Sequence, residues 1–458
     1  MSKNSLNGLS ATQLASLLQA GEMTAVELAE RYLDDIAQYH DQSVFITVTK
    51  ARALAEAKAS DARRLNGTLL SPWDGIPIAW KDLFDTKGDT TTAGSTVYAN
   101  EKPAESDAAT VAACRGLGLV CLGKTNLSEF AYSGLGLNPH YGTPVNPHSD
   151  ETPRAPGGSS SGSAIAVASG LAPVAIGTDT AGSVRVPASF CGLAGFKSSQ
   201  NRYDKQGVFP LSSSLDSLGP LAHCVDDLIV LDALMRGHAT APTADVNLTD
   251  LEFLIPETIV FDDIEADIRT SFDETVDRLK KAGIRISYAP FPIFEEIMNL
   301  FAAHGTPTVA EAATFHAALL SSERADEMDQ RVRTRMMTAS GFSAQDYIRL
   351  QWERERLQEV AGNILGDKCL LFPTVAMTAP ALAPLEADDK FFAETNLKAL
   401  RNTILGNYLG MPGVSLPIGV DSKGLPIGAL ISAPSGQDDR ILSVAKAIEP
   451  FMQIAAKG

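Results

Sequence analysis

Several simple functional classes are excluded by what this sequence has little of. Cysteine is scarce: Cys114, Cys121, Cys191, Cys224 and Cys369 are an odd set of five, with no C-x-x-C and none at zinc-finger spacing from a histidine. That pattern argues against a disulfide scaffold or zinc module and for free thiols in a reducing compartment. Basic residues are outnumbered, 38 Lys and Arg against 55 Asp and Glu for a net charge of −17. Nucleic acid and anionic membrane both need basic surface, so neither is an expected partner. No apolar run reaches membrane-spanning length. The first residues carry acids early and lack a continuous apolar stretch, so no signal peptide is expected and the reading is cytoplasmic. No cluster of His, Cys, Asp or Glu has metal-ligand spacing, and no metal or organic cofactor is expected. Internal repeats and low-complexity tails are also missing.

What remains is a chain with ample core. At 458 residues and 45% apolar composition it has the length of two or three average domains or of one large α/β unit. Residues 10–20 and 24–39 have helical spacing, the second opened by Thr24 and Glu27 in a capping-box pattern. Residues 51–65 and 107–117 read as further helices. Short apolar runs at 76–80 and 119–122 read as buried strands, the first ending at Lys81. Residues 138–156 and 207–219 read as loop, 225–235 as an apolar-faced helix and 238–249 as a surface connection. A βαβ-like unit follows at 251–255, 264–281 and 284–289. Charged helices fill 294–364, a strand lies at 370–372, and residues 406–431 read as helix, turn, strand, hairpin and strand. Strands alternate with helices throughout, which predicts an α/β fold of α/β/α layers.

One stretch organises the chemistry: residues 156–197, PGGSSSGSAIAVASGLAPVAIGTDTAGSVRVPASFCGLAGFK. A Gly/Ser loop leads into a helix of small residues (163–170), then a short strand (172–177), then a second Gly/Ser turn. Folded back, this brings Ser159 and Ser183 to one sheet edge. A serine hydroxyl is a weak nucleophile and needs a base. The seven histidines (His40, His140, His148, His223, His238, His304 and His316) sit in no catalytic motif. Lysine can serve only when burial or a cationic neighbour lowers its pKa. Lys81, at the end of an apolar strand, fits that requirement, and equally fits a surface pairing with Asp82 or Asp85. The turn 178–183, TDTAGS, can aim backbone N–H groups at an oxyanion, or be an ordinary tight turn. Gly158-Ser159-Ser160-Ser161-Gly162 matches G-x-S-x-G, but the preceding residues are loop rather than strand, so Ser160 is not read as an elbow nucleophile.

The order Lys81, GGSSSGSA at 157–164 and GTDTAGSVRVPASFCGLAGFK at 177–197, with Ser183 following Ser159 by 24 positions, resembles the amidase signature family. The resemblance covers nearly the whole chain as one domain, 1–458, densest from about 74 to 227, with a variable helical region at about 294–364. It implies a three-layer α/β/α fold around a central mixed β-sheet, the amidase signature fold. It also implies a triad: Ser183 as nucleophile, Ser159, in a cis Gly158–Ser159 peptide, as bridging proton relay, and Lys81 as base. An oxyanion hole at Thr180, Ala181, Gly182 and Ser183 and substrate contacts at Gly134 and Ser159 are implied as well. Asp179 and Arg185 correspond to a structural polar pair. The implied reaction is hydrolysis of a small amide C–N bond to carboxylate plus ammonia or amine; a homodimer is a family-level expectation.

Three positions depart from the commonest pattern. Ala181 replaces a glycine beside the oxyanion turn. Trp80 stands where a small aliphatic is usual, shaping a pocket wall or filling core. Val186 is apolar where some relatives carry a charged residue that binds substrate, which disfavours small diacid amides. The rival reading is the glutaminase-type subunit of a tRNA-dependent amidotransferase, which shares the motifs; residues 132–139 and Ala181 resemble stand-alone relatives more. A non-enzymatic role for the loops predicts no covalent adduct at any serine. Specificity is expected from residues 294–364 and 132–138; Arg333 and Arg335 either clamp a substrate carboxylate or face solvent from a helix.

Overall fold

The computed structural model of the protein describes residue 6 and residues 8–241 and 244–453. Among these residues the strands are β1 (Phe45–Val48), β2 (Pro77–Lys81), β3 (Val120–Thr125), β4 (Ala175–Asp179), β5 (Ala194–Lys197), β6 (Ser217–Ala222), β7 (Glu252–Pro256), β8 (Arg285–Ala289), β9 (Cys369–Pro373), β10 (Gly413–Val420) and β11 (Pro426–Ser432). They form one mixed sheet in the order β1-β3-β2-β4-β6-β5-β10-β11-β9-β7-β8. The pairs β2–β3, β2–β4, β7–β8 and β7–β9 are parallel, and the rest antiparallel.

Both faces of this sheet are covered, as period-two burial shows. In β9, Leu371 packs into one hydrophobic cluster while Leu370 and Phe372 pack into another; in β11, Ala429 and Ile431 go one way and Leu430 the other. Successive strand side chains point to opposite faces, so each face is a separate core interface. That is the layered α/β arrangement expected from the alternation of strands and helices.

Strand boundaries differ from the sequence pattern, and three strands escape it. The run at 119–122 extends through Thr125, and the strand in the central stretch is Ala175–Asp179 rather than 172–177. Phe45–Val48 and Ala194–Lys197 are only four residues each, too short for a periodic pattern to show. The third, Ser217–Ala222, overlaps a segment that reads as loop because of its Gly-Pro pair. Gly219 is there because the Phe196 carbonyl oxygen would lie 1.9 Å from a Cβ at that position. Close backbone approach, not turn formation, explains the glycine. Gly219→Ala is therefore expected to cost roughly 1–3 kcal/mol or more through overpacking, read as a fall in the urea midpoint; an unchanged midpoint would refute the close-approach reading. The segment 238–249 lies partly outside the described residues. No helix among the described residues is long and apolar enough to cross a membrane.

Candidate active site

Parallel neighbours bring the key residues together. Strands β2 and β4 run side by side, with Ala79 opposite Ala175 and Trp80 opposite Ile176, so their C-terminal ends share one sheet edge. Lys81 is the last residue of β2, and the turn 180–183 follows the last residue of β4. β6 runs antiparallel to β4 with Ser217 opposite Asp179, which sets Asp216 at the same edge. The helix Ser161–Ala168, between the two Gly/Ser loops, packs close because its residues are small: a Cβ on Gly162 would meet the Val44 carbonyl oxygen at 2.4 Å. That close packing returns the first loop to the edge where the second begins.

Lys81 is fully buried, and its Nζ donates to Ser159 Oγ at 2.7 Å and to Thr178 Oγ1 at 2.8 Å. It does not pair with Asp82 or Asp85. Asp82 is taken by Lys124 at 2.6 Å, and Asp85 accepts from the Thr91 hydroxyl at 2.7 Å. Burial pushes the Lys81 ammonium down to about 7, against the pull of Asp216 and Asp179.

Ser159 follows a cis Gly158–Ser159 peptide and is fully buried. The two loops are joined through the backbone: Ser160 N donates to the Ser183 carbonyl at 3.3 Å. Ser183 is 4% exposed. Its hydroxyl makes no hydrogen bond to another described residue, so Lys81 and Ser159 are joined while Ser183 stands beside them unbonded. Ser160, the rejected elbow serine, donates its hydroxyl to the Thr178 carbonyl at 3.3 Å, and no strand precedes it.

The turn 180–183 is built on Asp179. Its carboxylate accepts from Gly182 N at 2.8 Å and Val184 N at 3.1 Å, and is gripped by Arg185 Nε at 3.0 Å and Nη2 at 2.9 Å. Desolvation would raise this carboxyl, but the Arg185 guanidinium holds it well below the usual carboxylate range. Because Asp179 takes the Gly182 N–H, Gly182 differs from its three neighbours. The N–H groups of Thr180, Ala181 and Ser183 have no partner among the described residues. Asp216 accepts the Thr180 hydroxyl and the N–H groups of Leu211 (2.9 Å) and Ser212 (3.0 Å), which fixes the turn from the other side.

A helix far along the chain completes the frame. On Asp389–Tyr408, Thr403 Oγ1 donates to the Ala181 carbonyl at 2.6 Å, and Asn407 Nδ2 donates to Asp179 Oδ1 at 2.9 Å. Asn396 Oδ1 accepts from Gly134 N at 2.7 Å, while the Gly134 carbonyl accepts from Gly158 N at 2.8 Å. Gly134 thus lies next to the Ser159 loop, and a Cβ on it would meet the Leu400 side chain at 2.7 Å. Sequence reasoning placed Thr178 in the turn without its hydroxyl contact to Lys81, and missed Asp216, Asn396, Thr403 and Asn407. The signal for the last three was present: polar residues recurring at helical spacing on a buried stripe, where polar groups are held only if bonded.

The other sequence candidates fall elsewhere. Trp80 is core, 5.3 Å ring to ring from Phe84. Val186 packs with Ala181, Leu135 and Leu400. His140 meets Glu129 at 2.8 Å, His304 meets Asp346 at 2.8 Å, and His316 lies 4.3 Å from the Phe130 ring; none of the three makes a hydrogen bond to Ser159 or Ser183. All five cysteines are free, and burial pushes their thiols up, the wrong direction for a nucleophile. Among the described residues no group of three or more His, Cys, Asp or Glu could hold a metal ion.

Comparison with known proteins identifies the family. The family described as Amidase matches residues 27–442. The chain is 36% identical to 2-amino-5-chloromuconic acid deaminase of Comamonas testosteroni, over 97% of this chain and 96% of that one. It is 33% identical to a glutamyl-tRNA(Gln) amidotransferase subunit of Thiobacillus denitrificans, over 95% of this chain and 96% of that one. Among solved structures, one described as an amidase superposes with a TM-score of 0.87 at 29% identity, covering 97% of this chain and 100% of that one. The chain belongs to the amidase family.

Proposed function

We propose that this member of the amidase family hydrolyses a small carboxamide or related C–N bond through an acyl-enzyme on Ser183. One observation carries the reading: a fully buried lysine with a depressed pKa donates to Ser159 at 2.7 Å. A neutral Lys81 can reverse that hydrogen bond, accepting the Ser159 proton while still donating to Thr178. Ser159 in turn takes the proton of Ser183 once the Ser183 side chain rotates toward it, and Ser183 Oγ bonds to the amide carbon. The negative oxygen is received by the free N–H groups of Thr180, Ala181 and Ser183. The Lys81 proton then returns through Ser159 to the leaving nitrogen, the C–N bond breaks, and water cleaves the ester by the same relay.

The base must be neutral to act, so kcat/KM is expected to rise with pH through about 7, the value to which burial brings Lys81, and then level off. A profile that falls through that range would exclude lysine as the base. The identity test is a fluorophosphonate probe with the adduct located by peptide mass spectrometry. An adduct on Ser183, absent in Ser183→Ala, supports the reading; an adduct on Ser160 overturns it.

The amidotransferase reading draws support from the relative of that name. It predicts hydrolysis of glutamine and co-purification of a second protein from the native source. A hydrolase acting alone on other amides needs neither.

A further inference from the structure

A cavity of about 760 Å3 lies beside the C-terminal end of the helix Asp389–Tyr408, and neither Lys81, Ser159 nor Ser183 lines it. Its volume is that of a small-molecule site, but its walls are unlike those of an apolar pocket. Serines, glutamines and the three arginines Arg202, Arg236 and Arg354 dominate the lining, which holds no aromatic or aliphatic side chain. A nucleobase finds nothing to stack on there, and a hydrocarbon chain nothing to pack against. Any ligand that fits is hydrophilic.

The three arginines are not equivalent. Arg202 meets Asp232 at 2.5 Å and also pairs with Asp439, and Arg236 meets Asp232 at 3.0 Å. Asp438, 2% exposed, accepts from Ser199 N at 2.8 Å and Ser199 Oγ at 2.7 Å. Arg354 has no carboxylate within ion-pair distance among the described residues. Its Nε donates to the Tyr408 carbonyl at 2.8 Å, which fixes the guanidinium plane and leaves both Nη groups without an acceptor among those residues. Two acids act on it only from beyond ion-pair distance. Glu311 is committed to the Tyr347 hydroxyl at 2.7 Å, the Ser212 hydroxyl at 2.8 Å and Ser214 N at 3.0 Å, and Glu355 is exposed. Gln351, Arg354 and Gln358 stand at i, i+3 and i+7 on one face of the helix Ala344–Leu365. Gln351 Nε2 is buried without a hydrogen-bond partner, a costly state that an accepting ligand would relieve. A guanidinium edge flanked by neutral amide donors matches an oxyanion, the fork taking two oxygens and the amides the others.

The same groups hold the frame of the candidate active site. The last carbonyls of a helix have no partner within it. Those of Asn407 and Tyr408 are taken by Gln200 Nε2 at 2.9 Å and Arg354 Nε at 2.8 Å, two side chains of the cavity lining. The Asn407 side chain in turn donates to Asp179 Oδ1 at 2.9 Å, and Asp179 accepts the N–H groups of Gly182 and Val184. We propose that this cavity binds a small hydrophilic oxyanion, phosphate or a phosphate monoester, through Arg354, Gln351 and Gln358, and that occupation is transmitted through Tyr408 and Asn407 to the turn 180–183. The ligand is an effector at a second site, apart from the place where an amide would react.

Isothermal titration calorimetry with inorganic phosphate and with glycerol phosphate tests the site, the ionic strength being held constant with chloride. The proteins are wild type, Arg354→Gln, Gln351→Leu and the control Arg356→Gln, whose guanidinium pairs with Glu296 and Glu353 outside the cavity. Wild type is expected to bind one ion per chain saturably, and Arg354→Gln to bind at least about tenfold more weakly. Gln351→Leu removes an unpaired buried donor, so without ligand it is expected to melt no lower than wild type while its affinity falls several-fold. It decides the matter where Arg354→Gln does not fold. Arg356→Gln binds as wild type does. Tighter binding of glycerol phosphate assigns the site to an ester, and equal or weaker binding to the free ion. No saturable heat with wild type, or an affinity unchanged in Gln351→Leu or in a folded Arg354→Gln, overturns the site. Transmission is read by hydrogen exchange of the peptide spanning residues 179–185, expected to slow several-fold on occupation in wild type and by less in Gln351→Leu at the same phosphate concentration. Unchanged exchange in wild type at saturation overturns the transmission and leaves the site. Neither readout depends on Ser183 chemistry, so failure of the amidase reading is told separately, by fluorophosphonate labelling.

Discussion

Ser183→Ala and Lys81→Ala are each expected to reduce amide turnover by at least about 10^4-fold, because a nucleophile and its base act as one unit and losing either removes most of what both supply. Ser159→Ala should fall nearly as far, since the bridging hydroxyl is the group Lys81 touches. Retention of near-wild-type rates in any of the three would refute the relay. The lysine carries a second consequence, for stability. In the unfolded chain it protonates near 10.4, whereas in the folded protein burial brings it to about 7. Between those values the unfolded state binds more protons, so stability rises with pH across that window; below it the fold carries a buried charge at full cost. Lys81→Met is therefore expected to be inactive yet to melt higher than wild type near neutral pH, with the gap narrowing toward pH 10. Lys197, also lowered to about 7 by burial and then by Arg185, is present in both proteins and cancels from the difference. A Lys81→Met protein less stable than wild type by the same margin at every pH would contradict the assigned direction.

That trade between stability and chemistry bears on what could be read from the sequence. Lys81, Ser159 and Ser183 could be proposed because the residue types that could make a relay occur in order along the chain, the two serines in one stretch, and because a short apolar run places Lys81 at a strand end. The choice between a catalytic and a surface lysine could not be made. It depends on Asp82 turning to the opposite side, to Lys124 at 2.6 Å, which is a fact about packing. A four-donor oxyanion turn is an equally local expectation, yet the Asp179 carboxylate takes the Gly182 N–H. The supporting helix shows its polar stripe in the sequence but not what that stripe holds. Thr403 and Asn407 lie more than 200 positions from the turn they hold, and nothing local to either segment declares the partner. β6 escapes a local reading because glycine and proline count there as turn formers, when the Phe196 carbonyl excludes a side chain at Gly219.

The Asp179–Arg185 pair allows stability and activity to be separated by experiment. Arg185 is 1% exposed and spends its guanidinium on Asp179, the Thr403 carbonyl at 3.1 Å and Asn407. Arg185→Met would leave the Asp179 carboxylate buried without its counter-charge, at an expected cost of about 3–5 kcal/mol, read as a large drop in the urea midpoint at pH 7. In that variant desolvation raises the folded-state pKa of Asp179 above the unfolded value near 3.9. Its defect should then be full at neutral pH and shrink as pH falls through the raised pKa, whereas the wild-type contribution persists well into acid. Asp179→Leu/Arg185→Met removes both charges and should regain at least half of the lost stability, because replacing a buried pair by apolar side chains is far less costly than orphaning one partner. It should not regain turnover, since Leu cannot accept the N–H groups of Gly182 and Val184 that shape the nucleophile turn. A double variant no more stable than Arg185→Met would show that the arginine acts through Thr403 and Asn407 rather than through the carboxylate. A double variant that recovers activity along with stability would show that the turn holds its shape without Asp179.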